Sequence, residues 1–145
     1  MKNPGFVFLE IVIAAALVSV VFLTLLGIGF SAVRVSTTLQ NTAQANSLIK
    51  EEIEAVRSFR DGVPWATMAG YVDGNPYHAV VGAEGWTLVA GTETVGTFTR
   101  QVVLSQDAAF DPNVSSADVV KVTVIVTWLN NKSLSMATYL TNWQE

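Results

Sequence analysis

No cysteine occurs in the chain, and there is a single histidine, His78. A disulfide framework, a thiolate metal site and a cysteine nucleophile are therefore excluded, while the redox compartment stays open. Charge is sparse as well: 14% of residues are charged, and the 8 basic residues stand singly in a chain of net charge −4. No basic patch forms to collect phosphates, which argues against direct nucleic-acid binding. The phosphate-binding P-loop, the dinucleotide glycine fingerprint and the GxSxG elbow are all missing. His78, in a strand or at its edge, has no second histidine or cysteine to join it in a zinc site or triad. The residues support no catalytic role.

Proline is scarce too, with 4 in 145 residues and none between Phe6 and Arg60. What fills that interval begins with an apolar run, 6–33, in which Glu10 is the only charge. The run exceeds the roughly 20 residues needed to cross a bilayer. A carboxylate near the mouth of such a segment is costly and marks a functional position. Signal-peptidase cleavage fits poorly: Ala14 and Ala16 resemble a cleavage site, but only a short stretch containing Glu10 precedes them and the apolar run continues. A single-pass anchor fits the length, with Lys2 favouring an N-terminus inside.

Beyond Val33 the apolar pattern becomes one-sided. Val35, Leu39, Ala45, Ile49, Ile53 and Val56 recur at near-helical spacing, the mark of an amphipathic helix over 34–61. Lys50 and Glu54 form an i,i+4 opposite-charge pair. Asp61-Gly62 is a stop signal with Pro64 just beyond, so one helix from Phe6 would run for about 80 Å. Gly27 and Gly29 each weaken a helix interior by up to about 1 kcal/mol relative to alanine.

After Gly62 the composition turns to β-branched residues, aromatics and turn formers. Strands are expected at 77–81, Gly85–Ala90, 97–105, Val119–Trp128 and 134–143. Asn130-Asn131-Lys132 signals a hairpin that pairs the last two strands antiparallel. One long helix followed by strands alone predicts an α+β fold, with an antiparallel sheet over 76–144 packed on the helix. The head would then span 34–145.

Gly5-Phe6-Val7-Phe8-Leu9-Glu10, after a short lysine-containing start and before a long apolar helix, resembles the cleavage motif of type IV prepilins and type II secretion pseudopilins. The resemblance is detailed over residues 2–60. The strand layout beyond is similar to minor pilins and I- or V-type pseudopilins. It implies a leader of residues 1–5, cleavage after Gly5 by prepilin peptidase, methylation of Phe6, and a filament-core helix over 6–33. It implies partners as well: other pilin subunits, an inner-membrane assembly platform, and the lipid bilayer before assembly. The location implied is the cytoplasmic membrane, N-terminus inside, then an extracellular or periplasmic filament. Cleavage would give Phe6 a free amine, cationic near neutral pH, and Glu10 lies about 6 Å further along the axis. Stacked helices could then pair Glu10 of one copy with the amine of another, setting register. Many type IV pilins carry proline near the place where this chain has Gly27, so a helix break there does not carry over; Gly27 and Gly29 read equally as a segment that extends or melts when the spine packs and as ordinary membrane-helix glycines. The missing disulfide disfavours the major pilins that close a C-terminal loop with one.

Three further features remain. Asp107, Asp111, Asn113, Ser115, Ser116 and Asp118 gather oxygen donors into one loop, a weak candidate calcium site: the EF-hand glycine and glutamate are missing from the spacing, and Asp, Asn and Ser are also ordinary turn formers. Asn113 and Asn131 open N-x-Ser patterns. Trp65, Trp86, Trp128 and Trp143 either mark a contact surface or serve as core and rim packing, and the sequence does not choose between the two. Set against the filament reading is an uncleaved single-pass membrane protein whose β-rich head binds a ligand or partner outside the cytoplasm.

Overall fold

The computed structural model describes residues 4–83, 85–107, 115–129 and 131–142, with side chains from Val7 onward. The chain divides after Asn41 into two compact units. The first is helix alone. In the second, a helix lies on an antiparallel sheet, and the architecture is α+β as expected.

Helix α1 spans Pro4–Gly62 without interruption. Proline suits its first position, where a missing N–H costs nothing. No other proline breaks it until Pro64, which forces the preceding Val63 out of helical geometry. Gly27 and Gly29 lie within the continuous helix, with open space beside each. Over 7–39 the apolar side chains are exposed, from Val7 at 41% to Phe30 at 73%. This helix is long and apolar enough to cross a membrane.

In the second unit, Ala45, Leu48, Ile49, Ile53, Val56 and Phe59 of α1 are buried. They share a core with Val102, Leu104, Val122, Val124 and Val126 of the sheet. Burying each such side chain stabilises by about 1.5–3 kcal/mol. The expected stripe is thus correct from Ala45 onward, whereas Val35 and Leu39 are exposed. Both precede Thr42, where the second unit begins, so no sheet residue of their own unit covers them. Lys50 is not the partner of Glu54. Arg57 pairs with Glu54 at 2.6 Å, one turn the other way.

The strands are β1 Pro76–Gly82, β2 Gly85–Ala90, β3 Glu93–Val95, β4 Phe98–Ser105, β5 Val119–Trp128 and β6 Lys132–Thr141. Their order is β2-β1-β4-β5-β6, with β3 also paired to β4, and every pairing is antiparallel. Burial alternates along β4 and β5, so one sheet face meets α1 and the other meets solvent. The last hairpin forms as expected, but Lys132 pairs with Trp128 and belongs to β6 rather than to the turn. Asn131 adopts a left-handed φ of 56°, a conformation asparagine tolerates. β6 accordingly starts two residues before the expected 134 and ends at Thr141; Trp143 lies outside the described residues.

Besides the single 3-10 turn Ser116–Asp118, two short elements had no counterpart in the sequence reading. Helix α2, Trp65–Ala69, is a single turn whose Met68 is buried. Strand β3 folds back on β4 through Gly96 at φ 62°, the left-handed residue that a two-residue hairpin requires.

Candidate functional site

Gly5 and Phe6 lie in the opening turns of α1, so the bond between them is helical backbone. Glu10 follows one turn after Phe6 and is exposed, flanked by Leu9, Ile13, Ala14 and Leu17. The polar side chains from Val7 to Val33 are Glu10, Ser19, Thr24 and Ser31. The three hydroxyls donate to carbonyls one turn back: Ser19 to Ala15 at 2.7 Å, Thr24 to Val21 at 2.7 Å and Ser31 to Gly27 at 3.0 Å. Each is satisfied within its own helix, which makes it tolerable in hydrocarbon. Glu10 differs, because no described residue donates to its carboxylate.

The second unit holds a buried ionic cluster that the sequence reading missed. Glu52 is 0% exposed. Its Oε1 accepts the Ala79 N–H at 2.7 Å. Its Oε2 lies 3.2 Å from Arg100 Nε with no hydrogen bond of its own. Arg100 also meets Glu93 at 2.6 Å and Glu51 at 3.1 Å. Burial pushes the Glu52 carboxyl above its ordinary pKa, and the Ala79 N–H and Arg100 only partly offset this. Burial also works against the Arg100 charge, yet Glu93, Glu52 and Glu51 outweigh it and hold the guanidinium above its ordinary value.

The topology explains why a carboxylate is needed there. β1 pairs with β4 only at Pro76 and Tyr77, while β3 pairs with β4 at Thr99 and Arg100. Ala79 has therefore left β4, and Glu52 supplies the acceptor that a strand would otherwise provide. The signal was legible: Glu52 falls three residues after Ile49 and four before Val56, on the buried face.

Of the candidate calcium loop, Asp111 and Asn113 lie outside the described residues. Asp107 accepts from Lys121 Nζ at 3.2 Å and from the Tyr139 hydroxyl at 2.8 Å. That bond to Asp107 holds the Lys121 pKa above its ordinary value. Ser115 caps the turn Ser116–Asp118 by accepting the Ala117 N–H. The Asp118 main-chain carbonyl accepts the Asn142 N–H at 2.9 Å. Among the described residues no group of three metal-ligating side chains is placed to hold an ion. His78 sits in β1 with Nδ1 3.3 Å from the Gly91 carbonyl. Trp65 donates to the Ala117 carbonyl at 3.0 Å, Trp86 packs at the core margin, and Trp128 is buried against Phe98. Comparisons with protein-family models, curated proteins and solved structures return no match.

Proposed function

We propose that this chain is a structural subunit, a minor pilin or pseudopilin, of a type IV pilus or type II secretion-like filament. One observation carries the reading. Of the four polar side chains between Val7 and Val33, only Glu10 has no partner among the described residues, and it stands one helical turn from Phe6.

In this reading prepilin peptidase cuts after Gly5, and the partner of Glu10 comes into existence as the amine of Phe6. Within one helix these groups are separated by about 6 Å along the axis. A neighbouring helix displaced by that amount brings one copy's amine beside the other's carboxylate. A buried charge left unpaired costs several kcal/mol, so misregistered subunits are disfavoured. The exposed apolar surface of 7–33 is then covered by lipid before assembly and by sister helices afterwards. The β-rich head stays outside the bilayer.

Mass spectrometry of the full chain recovered from membranes tests the maturation step. The expected mature N-terminus is methylated Phe6, and retention of residues 1–5 would instead favour the uncleaved single-pass protein. Glu10→Ala is expected to leave membrane insertion intact and to reduce incorporation into filaments. Wild-type incorporation of that variant would remove Glu10 as the register mark.

A further inference from the structure

Among the described residues the strand order ends on β2 and on β6, and β3, paired with β4 alone, is a third, short edge. β3 is three residues long and carries Glu93, whereas among the described residues most natural devices for blunting an edge are missing from β2 and β6. β2, GWTLVA, carries no charge and no proline. β6 runs for 10 residues with no proline, and its one charge is Lys132 at its start. It pairs with β5 through ten consecutive partners without a bulge. A long, flat, uncharged edge is a template for another strand.

Three of the six exposed large apolar side chains described in the second unit, Val89, Met136 and Tyr139, lie on β2 and β6 themselves. Val80, Val81 and Val89 lie on the β1–β2 hairpin; Met136 and Tyr139 lie on β6, with Leu129 in the turn before it. Strands β4 and β5 contribute none. The Asn142 N–H donates to Asp118, so alternate residues of β6 face β5. Ser133, Ser135, Ala137, Tyr139 and Thr141 turn their main-chain groups the other way. Arg60 engages the Thr141 carbonyl, consistent with that assignment. Ser133, Ser135 and Ala137 meet no described strand.

Strand direction decides what fits. With every neighbouring pair antiparallel, the order β2-β1-β4-β5-β6 makes β2 and β6 run the same way. Two copies oriented alike therefore present β6 of one to β2 of the other as a parallel pair. We propose that neighbouring copies of this chain join edge to edge, β6 of one against β2 of the next, continuing one sheet from head to head. The contact is heterologous, using different surfaces on each side, so it repeats along an array. Main-chain hydrogen bonds supply the attraction, and Val89 and Met136 lose solvent-exposed surface. The proposal rests on the filament reading only for the common orientation of the copies.

The absence of cysteine makes the test clean. Full-length Val89→Cys is mixed in one membrane with Ser133→Cys, Ser135→Cys or Ala137→Cys, all on the solvent face of the sheet, and oxidised. The expected result is a disulfide-linked dimer in at least one mixture, and its loss when Ser135→Lys is added to the Ala137→Cys or Ser133→Cys partner. Thr123→Cys, central on the same face, should stay monomeric. Dimers confined to β6 variants alone, equal cross-linking through Thr123→Cys, or no dimer in any mixture would each overturn the edge contact. N-terminal mass is measured on the same samples. Retained residues 1–5 with the cross-link present overturn the maturation reading alone; a matured chain without the cross-link overturns the edge contact alone.

Discussion

At the residue scale, Glu52 and Arg100 carry more consequence than any other pair in the head. Glu52→Ala takes away the acceptor of the Ala79 N–H and should destabilise the head by about 1–3 kcal/mol. Arg100→Ala leaves Glu52 buried without its counter-charge, and the expected loss is larger, about 3–5 kcal/mol. Thermal melts of the detergent-solubilised full chain, followed through the tryptophans, rank the two; a smaller loss for Arg100→Ala would remove the guanidinium from its supporting role. Glu52 also predicts a pH dependence. Its folded pKa is raised, so the folded state holds this proton more tightly than the unfolded chain. The stabilisation is full below the unfolded value of about 4.3 and is lost as pH rises through the folded one. Asp73 has the opposite sign, because the Tyr77 hydroxyl and Asn75 lower its pKa. That contribution is common to wild type and variant and cancels in their difference. Glu52→Gln should therefore gain on wild type as pH rises from the acid range toward neutrality, and parallel melting-temperature curves would refute the assignment.

At the scale of elements, α1 was legible almost to the residue, because a proline-free interval and a Gly-x-Pro stop bound it. β2 and β5 were legible in full, since dense β-branched runs between turn residues admit few alternatives. α2 and β3 were not, for a shared reason. Five and three residues are too short to show periodicity, and tertiary contacts of Met68 and Glu93 hold them in place. The Gly96 hairpin and the helical phase of Glu52 were the signals that went unread. Gly27 and Gly29 give the prediction at this scale. An added Cβ meets nothing within 4 Å at either site. Gly27→Ala with Gly29→Ala should thus stabilise the helix by up to about 1 kcal/mol each. Amide exchange around residues 27–31 in detergent is expected to slow, and unchanged exchange would show that the glycines do not weaken the helix there. If the segment melts on assembly, the same double variant also incorporates less well.

At the scale of the whole molecule, the division after Asn41 separates two kinds of surface. Residues 7–39 expose nearly every apolar side chain, whereas the head buries most of its own and exposes large ones on the β1–β2 hairpin and on β6 with the turn before it. The membrane-compatible helix and the α+β head were readable from composition and period. The candidate site was readable only in part: the Gly5-Phe6-Glu10 spacing stands in the sequence, but the self-satisfied hydroxyls that single out Glu10 require coordinates. The edges likewise depend on strand order, which local pattern does not encode.

One helix is at once the apolar rod and the floor of the head's core, through Ile49, Ile53, Val56 and Phe59. The main-chain hydrogen-bond ladder of that helix runs from Pro4 to Gly62 without interruption. Gly27 and Gly29 are its interior positions of weakest helix propensity, so any extension of the rod is expected to begin there.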